Sequence, residues 1–308
     1  GISVGRGVFT KVTTSAIQEV GVLTGGMNAE FGNALAGVVT LVSREGENKL
    51  HGEAEYVISP SGQRHWGQNL YDNPAHKGHM RWDNADWANE TDPQTGKLAH
   101  QRMKYTDYIG HQVEGSLSGP IGSKASFFVS SRFVRGVSTY PSPAPTSPFN
   151  TRNLATLTFR PTASVKVKLG GMLDRYKSYY VPNSNYEGSA KGMGPTSSGR
   201  NIFLPENWAA SGRQIVTDDM EHLTMTHSLG PKTYYEVKVY HVGSKIDTAD
   251  VPSVTEPVRT DKDGWFYLPR KIQAYNLYSD QRYGAKVDFT SQVSQSHLFQ
   301  AGMEYRRH

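Results

Sequence analysis

The sequence predicts an all-β chain, specifically an antiparallel transmembrane β-barrel, and three observations carry that reading. From about Gln112 onward apolar and polar residues alternate with period two, the signature of strands with one apolar face. The strands come in pairs, joined by tight turns, and the pairs are separated by much longer connections. A soluble sandwich also alternates, but it has no reason to put every long loop at one end. A barrel with short turns on one side of a membrane and long loops on the other does. Finally, only 36% of residues are hydrophobic although aromatics are plentiful, with 17 Tyr, 11 Phe and 5 Trp. A barrel needs apolar residues only at its lipid-facing alternate positions, so it tolerates that composition. Disorder does not fit so many aromatics.

Composition narrows the remaining classes. No run approaches the ~18–20 apolar residues of a membrane-spanning helix. The absence of cysteine excludes disulfide scaffolds, thiolate metal sites and thiol nucleophiles, and is neutral about compartment. A net charge of +5, scattered along the chain, does not suggest a nucleic-acid partner. The start, Gly1-Ile2-Ser3-Val4-Gly5, has neither the basic nor the apolar region of a secretory signal.

In chain order, residues 1–49 read as short glycine-punctuated strands: Ile17 to Leu23, a turn at Gly25-Gly26, an irregular stretch through Phe31-Gly32 and Gly37, then the β-branched strand Val38–Val42. A first long strand starts near Leu50. The paired strands follow: Ile109–Gly119 with Ala125–Tyr140, Asn153–Arg160 with Val165–Tyr180, Met220–Leu229 with Thr233–Lys245, and Arg282–Thr290 with His297–Arg307. Their turns are placed at Gly119–Lys124, Pro161–Ser164, Gly230–Lys232 and Ser291–Ser296. Val165, Val167, Leu169, Val237, Val239, Val287 and Phe289 are expected on the lipid face. Lys166, Lys168, Glu236, Lys238, Lys286 and Asp288 are expected on the lumen face, because a Lys near mid-membrane costs about 2–4 kcal/mol.

The residues that could carry chemistry have plainer readings. Gly25, Gly26, Gly32 and Gly37 match neither phosphate-cradling spacing, and read as structural glycines in close packing. Glu19, Glu30 and Arg44 are expected to pair with the lumen wall. His76-x-x-His79, accompanied by His65, His100 and His111, lacks an acidic or thiolate partner at a ligand spacing, so no metal site is expected. Trp66, Trp82 and Trp87 in the first long loop are candidate contacts for an extracellular ligand; loop packing or an interfacial girdle explains them equally. Asp261-Lys262-Asp263-Gly264 is a turn, since no Glu stands at the twelfth position of a calcium loop. No catalytic triad or carboxylate pair can be assembled, so no enzyme and no cofactor are expected.

The stretch from Ala16 to Gly46, containing LTGGMNAEFGNALAGVV, closely resembles the C-terminal half of the plug domain of TonB-dependent outer-membrane receptors, most of all their Oar-like, carboxypeptidase-regulatory-like branch. The matching positions are Ile17, Glu19 and Val20, then Gly25 and Gly26, Phe31-Gly32, Gly37 and Val38–Val42. Leu50–Tyr56 resembles the first barrel strand, and Gly119-Pro120-Ile121 with Phe127-Phe128 the first periplasmic turn. The resemblance implies residues 1–49 as plug and 50–308 as the first part of a barrel of about 22 strands, of which about nine are countable here. It implies an outer-membrane location, energised uptake of an unidentified solute, a TonB-type periplasmic partner and, in some members, a surface lipoprotein. Nine strands, an odd number, and an end at Glu304–His308 without a terminal aromatic give the expectation of an internal segment. On that expectation the TonB box lies upstream and further strands follow His308. The rival expectation is a passive or structural outer-membrane barrel, such as a porin-like protein, an adhesin or an assembly component.

Overall fold

The computed structural model describes residues 3–4, 7–8, 13–24, 38–67, 89, 91, 96, 105–137, 139, 149–180, 212–249, 259–260, 266–267 and 276–307. Two small antiparallel pairs open the chain. One joins β1 (Ser3–Val4) and β2 (Gly7–Val8). The other joins β3 (Ile17–Leu23) and β4 (Val38–Ser43), preceded by a single 3-10 turn at Thr14–Ala16.

Nine strands then form one antiparallel sheet: β5 (His51–Ser59), β6 (Gly110–Ile121), β7 (Ala125–Arg135), β8 (Asn150–Thr162), β9 (Val165–Tyr180), β10 (Gly212–Gly230), β11 (Thr233–Ala249), β14 (Asn276–Gln292) and β15 (Leu298–Arg307). Each lies beside its sequence neighbour. A two-residue pair, β12 (Arg259–Thr260) with β13 (Phe266–Tyr267), sits in the connection between β11 and β14. Among the described residues the sheet is open: β5 and β15 are its edges, and both are exposed along their length. No described helix is long and apolar enough to cross a membrane, which says nothing about strands.

The expected pairing and turn–loop asymmetry are both present, with two corrections. Gly119, Pro120 and Ile121 belong to β6, opposite Phe127, Ser126 and Ala125, so the turn shrinks to Gly122–Lys124, with Gly122 at a φ of 67°. Pro120 is tolerated because β5 stops pairing at Ser118, and the missing N–H faces no partner. At the loop end the strands run past the apolar alternation: β10 begins at Gly212 instead of Met220, and β14 at Asn276 instead of Arg282. The apolar side chains there stand in adjacent pairs, Ile215-Val216 and Leu277-Tyr278, so backbone pairing continues without the alternation that periodicity reads.

Register gives one parity to the whole sheet from β6 to β15. Odd-numbered residues face one way and even-numbered residues the other. Val167, Met225, Val237, Val287 and Met303 stand in one row; Lys168, Thr224, Lys238, Lys286 and Glu304 stand in the row beside it on the opposite face. Two-residue turns would break this parity, since they join partners of unlike number. At both Ala163-Ser164 and Pro231-Lys232 a one-residue register shift beside the turn restores it.

The two faces are inverted relative to a water-soluble sheet. The odd face carries exposed Val113, Leu117, Val129, Phe133, Leu157, Leu169, Leu223, Val239, Val287 and Met303. The residues buried on the even face are largely polar: Glu114, Ser118, Ser126, Ser130, Thr156, Thr158, Asp174 and Asp218. Aromatic positions bracket the apolar stripe on each of four strands, Phe127 and Phe133, Tyr235 and His241, Tyr283 and Phe289, Phe299 and Tyr305. The two members of each pair stand six residues apart, about 20 Å along the strand.

Candidate functional site

The even face is where the N-terminal segment docks. Ala16 is fully buried and packs with Phe128 of β7 and Leu154 of β8, the buried apolar cluster of this face. Polar contacts surround it. The hydroxyls of Thr13 and Ser130 hydrogen-bond each other. Ser15 donates to Glu114 Oε1 from its backbone N (3.0 Å) and its hydroxyl (2.9 Å). Glu114 lies 3.6 Å from Arg132 Nε, whose Nη2 donates to Gln112. A carboxylate this buried is tolerable because it is both paired and hydrogen-bonded.

A second set of contacts lies nearer the turn end. Glu45, just after β4, accepts Lys166 Nζ at 3.2 Å and Arg160 Nη2 at 3.4 Å, with Lys168 Nζ at 3.5 Å. Lys168 also donates to Ser43 Oγ. Burial pushes the Glu45 pKa up, but the three cations outweigh it and hold the carboxyl below its ordinary range. Gly46 then passes directly over β7: a Cβ there would stand 2.5 Å from the Phe127 backbone N. Only glycine lets the chain cross so closely before it enters β5.

Of the residues singled out from sequence, Glu19 is exposed on β3 opposite Val42, with no ion pair among the described residues. Gly25, Gly26, Phe31, Gly32 and Gly37 lie outside the described residues, as do Trp82, Trp87, Glu30, His76, His79 and His100. Trp66 is described and fully exposed. Its neighbour His65 is used in loop packing, stacked 5.7 Å from Tyr105 and hydrogen-bonded to its hydroxyl. Arg44 lies 3.9 Å from Glu53 of β5, as its expected pairing with the wall requires. The sequence reading missed Glu45 and Glu114, whose partners lie about a hundred residues away and carry no local signal.

No protein-family model matches the chain, and no curated protein is similar to it. Among solved structures, the FrpB iron transporter from Neisseria meningitidis matches with a TM-score of 0.55 and 15% sequence identity. The match covers 96% of this chain and 37% of that protein. At this identity the likeness is one of fold. The chain has the fold of part of that transporter, an all-β wall of long meandering strands.

Proposed function

We propose that the chain is part of a TonB-dependent outer-membrane transporter, with residues 1–49 as the later part of its plug and 50–308 as the first part of its barrel. The observation that supports this best is the inverted sheet: apolar side chains exposed on one face, polar ones buried on the other beneath residues 13–16 and 43–46. A bilayer is the solvent that makes the first face favourable, and a polar lumen filled by a docked segment accounts for the second. The docked segment favours a plugged transporter over an open pore. On this reading the chain is not an enzyme. A TonB-type periplasmic protein supplies the energy, acting through a part of the receptor outside this chain, and the cargo is an extracellular solute. The Oar-like relationship and a lipoprotein partner rest on the resemblance of residues 16–46 alone.

The test has two arms. In the full-length receptor in its native membrane, single cysteines at Val237 and Val287 should react with a lipophilic probe, and cysteines at Lys238 and Lys286 should not. Reversed labelling in two strands would remove the barrel. Solute uptake should stop when the energising partner is deleted, and iron, which FrpB transports, is the first solute to offer. Uptake that persists without that partner would leave a passive barrel as the better reading.

A further inference from the structure

The geometry points to a divalent-metal site of the zinc class on the outward face, formed by Asp219 and Glu221 of β10 with His241 of β11. Neither transport nor the docked segment requires it. Asp219 and Glu221 are two apart on one strand and therefore project from the same face. The hairpin register sets His241 directly opposite Glu221. His241 Nδ1 stands 2.8 Å from Glu221 Oε2 and 3.3 Å from Asp219 Oδ2. The three donor atoms lie within 4.8 Å of one another. Donors bound to one ion at about 2.0–2.2 Å stand about 3.4 Å apart in a tetrahedron, so the site needs one carboxylate to close in slightly. Rotation of Glu221, the most exposed of the three at 56%, brings the two carboxylates closer.

Four further features favour a bound cation over a plain surface ion pair. Among the described residues, His241 is the only ion-pair partner of either carboxylate, so a neutral imidazole leaves two negative charges uncompensated. Gly243, opposite Asp219, leaves the room that lets this carboxylate fold toward the imidazole: a Cβ there would meet its oxygens at 2.6 and 2.7 Å. Tyr283 of β14 holds the imidazole ring from the other side, with centroids 4.7 Å apart. Glu221, the most exposed of the three, also borders a groove of about 730 Å³ on this face. The donor chemistry selects the metal. One imidazole and two carboxylates, with coordination positions left for water, suit Zn²⁺ or a similar transition ion. Ca²⁺ and Mg²⁺ take oxygen donors alone.

The test titrates the untagged full-length receptor in detergent, stripped by chelator, with Zn²⁺ in a calorimeter and with Co²⁺ as a visible-band reporter. Glu221→Gln, His241→Gln and Asp219→Asn are compared after each is shown to keep its heat-modifiable gel mobility. One equivalent of Zn²⁺ should bind the native protein without competition from Mg²⁺. Affinity should fall at least about tenfold in every folded variant, and the Co²⁺ band should vanish with His241→Gln. Native protein that binds no Zn²⁺, or variants that bind as the native protein does, would overturn the site. Should one variant fail to fold, the other two decide.

Discussion

The even-numbered face of the sheet has two halves that differ in what covers their side chains. Across β6–β8, under the N-terminal segment, a strip of small side chains is buried, Ser118, Ser126, Ser130, Thr156 and Thr158, beside the larger Glu114, Phe128 and Leu154. Across β11–β15, Lys238, Tyr240, Lys286, Glu304 and Arg306 project from the same face and pair among themselves. Tyr240 donates to Glu304 at 2.6 Å, Arg306 salt-bridges Glu304 and Lys286 lies 2.9 Å from Asp288. Glycines make room for the sheet's own side chains here, as Gly170 does for His222: a Cβ at Gly284 would stand 2.2 Å from Tyr240 Cζ, and one at Gly302 2.5 Å from Asp288 Oδ1. The odd-numbered faces of the two halves do not differ in this way, each carrying an apolar stripe. The odd face therefore keeps one character across the sheet, and the even face records where another segment covers it.

That contrast can be broken in order of expected effect. An arginine at Val129 in the covered half and one at Val287 in the open half should each cost about 2–4 kcal/mol. Equal losses of folded receptor in a denaturant titration would show that the outer face does not distinguish the halves. Overpacking the inner face should distinguish them. Ser130→Phe, or Gly46→Val above β7, should weaken docking by about 1–3 kcal/mol, seen as faster hydrogen exchange across residues 13–23 with the sheet unchanged. Thr290→Phe in the open half should leave that exchange alone, and equal effects at both positions would erase the contrast.

Smaller effects concern charge. Glu45→Gln should loosen the segment by about 1 kcal/mol, because its cluster is partly exposed. Burial opposes ionisation of Glu45 and its three cations favour it more strongly, so its folded pKa is lowered from 4.5. Its stabilising contribution is thus complete above 4.5 and declines as pH falls through the lowered folded pKa. Exchange at Arg44 and Gly46 should accelerate in that acid range for the native protein, while Glu45→Gln shows no such step. The smallest expected effect is Glu304→Gln in the open half, which should leave exchange in residues 13–47 unchanged. A change there would mean that the two halves are coupled.

Most of the wall was legible in the chain. Alternation assigns Val165, Val167 and Leu169 to one face and Lys166 and Lys168 to the other without any tertiary information, because the strand period is two. The Asp219–Glu221–His241 group was within reach too, since the hairpin turn at Pro231-Lys232 sets which residues of β10 and β11 stand opposite. Counting outward from that turn without the register shift beside Gly230, however, puts Glu221 opposite Val242, on the wrong face. The strand extensions at Gly212 and Asn276 escaped because hydrogen-bonded backbone continues where the period-two alternation stops.

Sequence by itself determined where the long strands lie, which alternate positions are apolar, and that tight turns alternate with long connections, since each follows from local backbone geometry and side-chain chemistry. Only the tertiary structure decided that Glu45 meets Lys166, Lys168 and Arg160, that Ser15 caps Glu114, and that Ala16 fills the hollow between Phe128 and Leu154. Those contacts join residues about a hundred positions apart. Their pairing depends on where one segment comes to rest across a folded sheet, and a periodic pattern, which repeats identically along the strand, carries no record of that position.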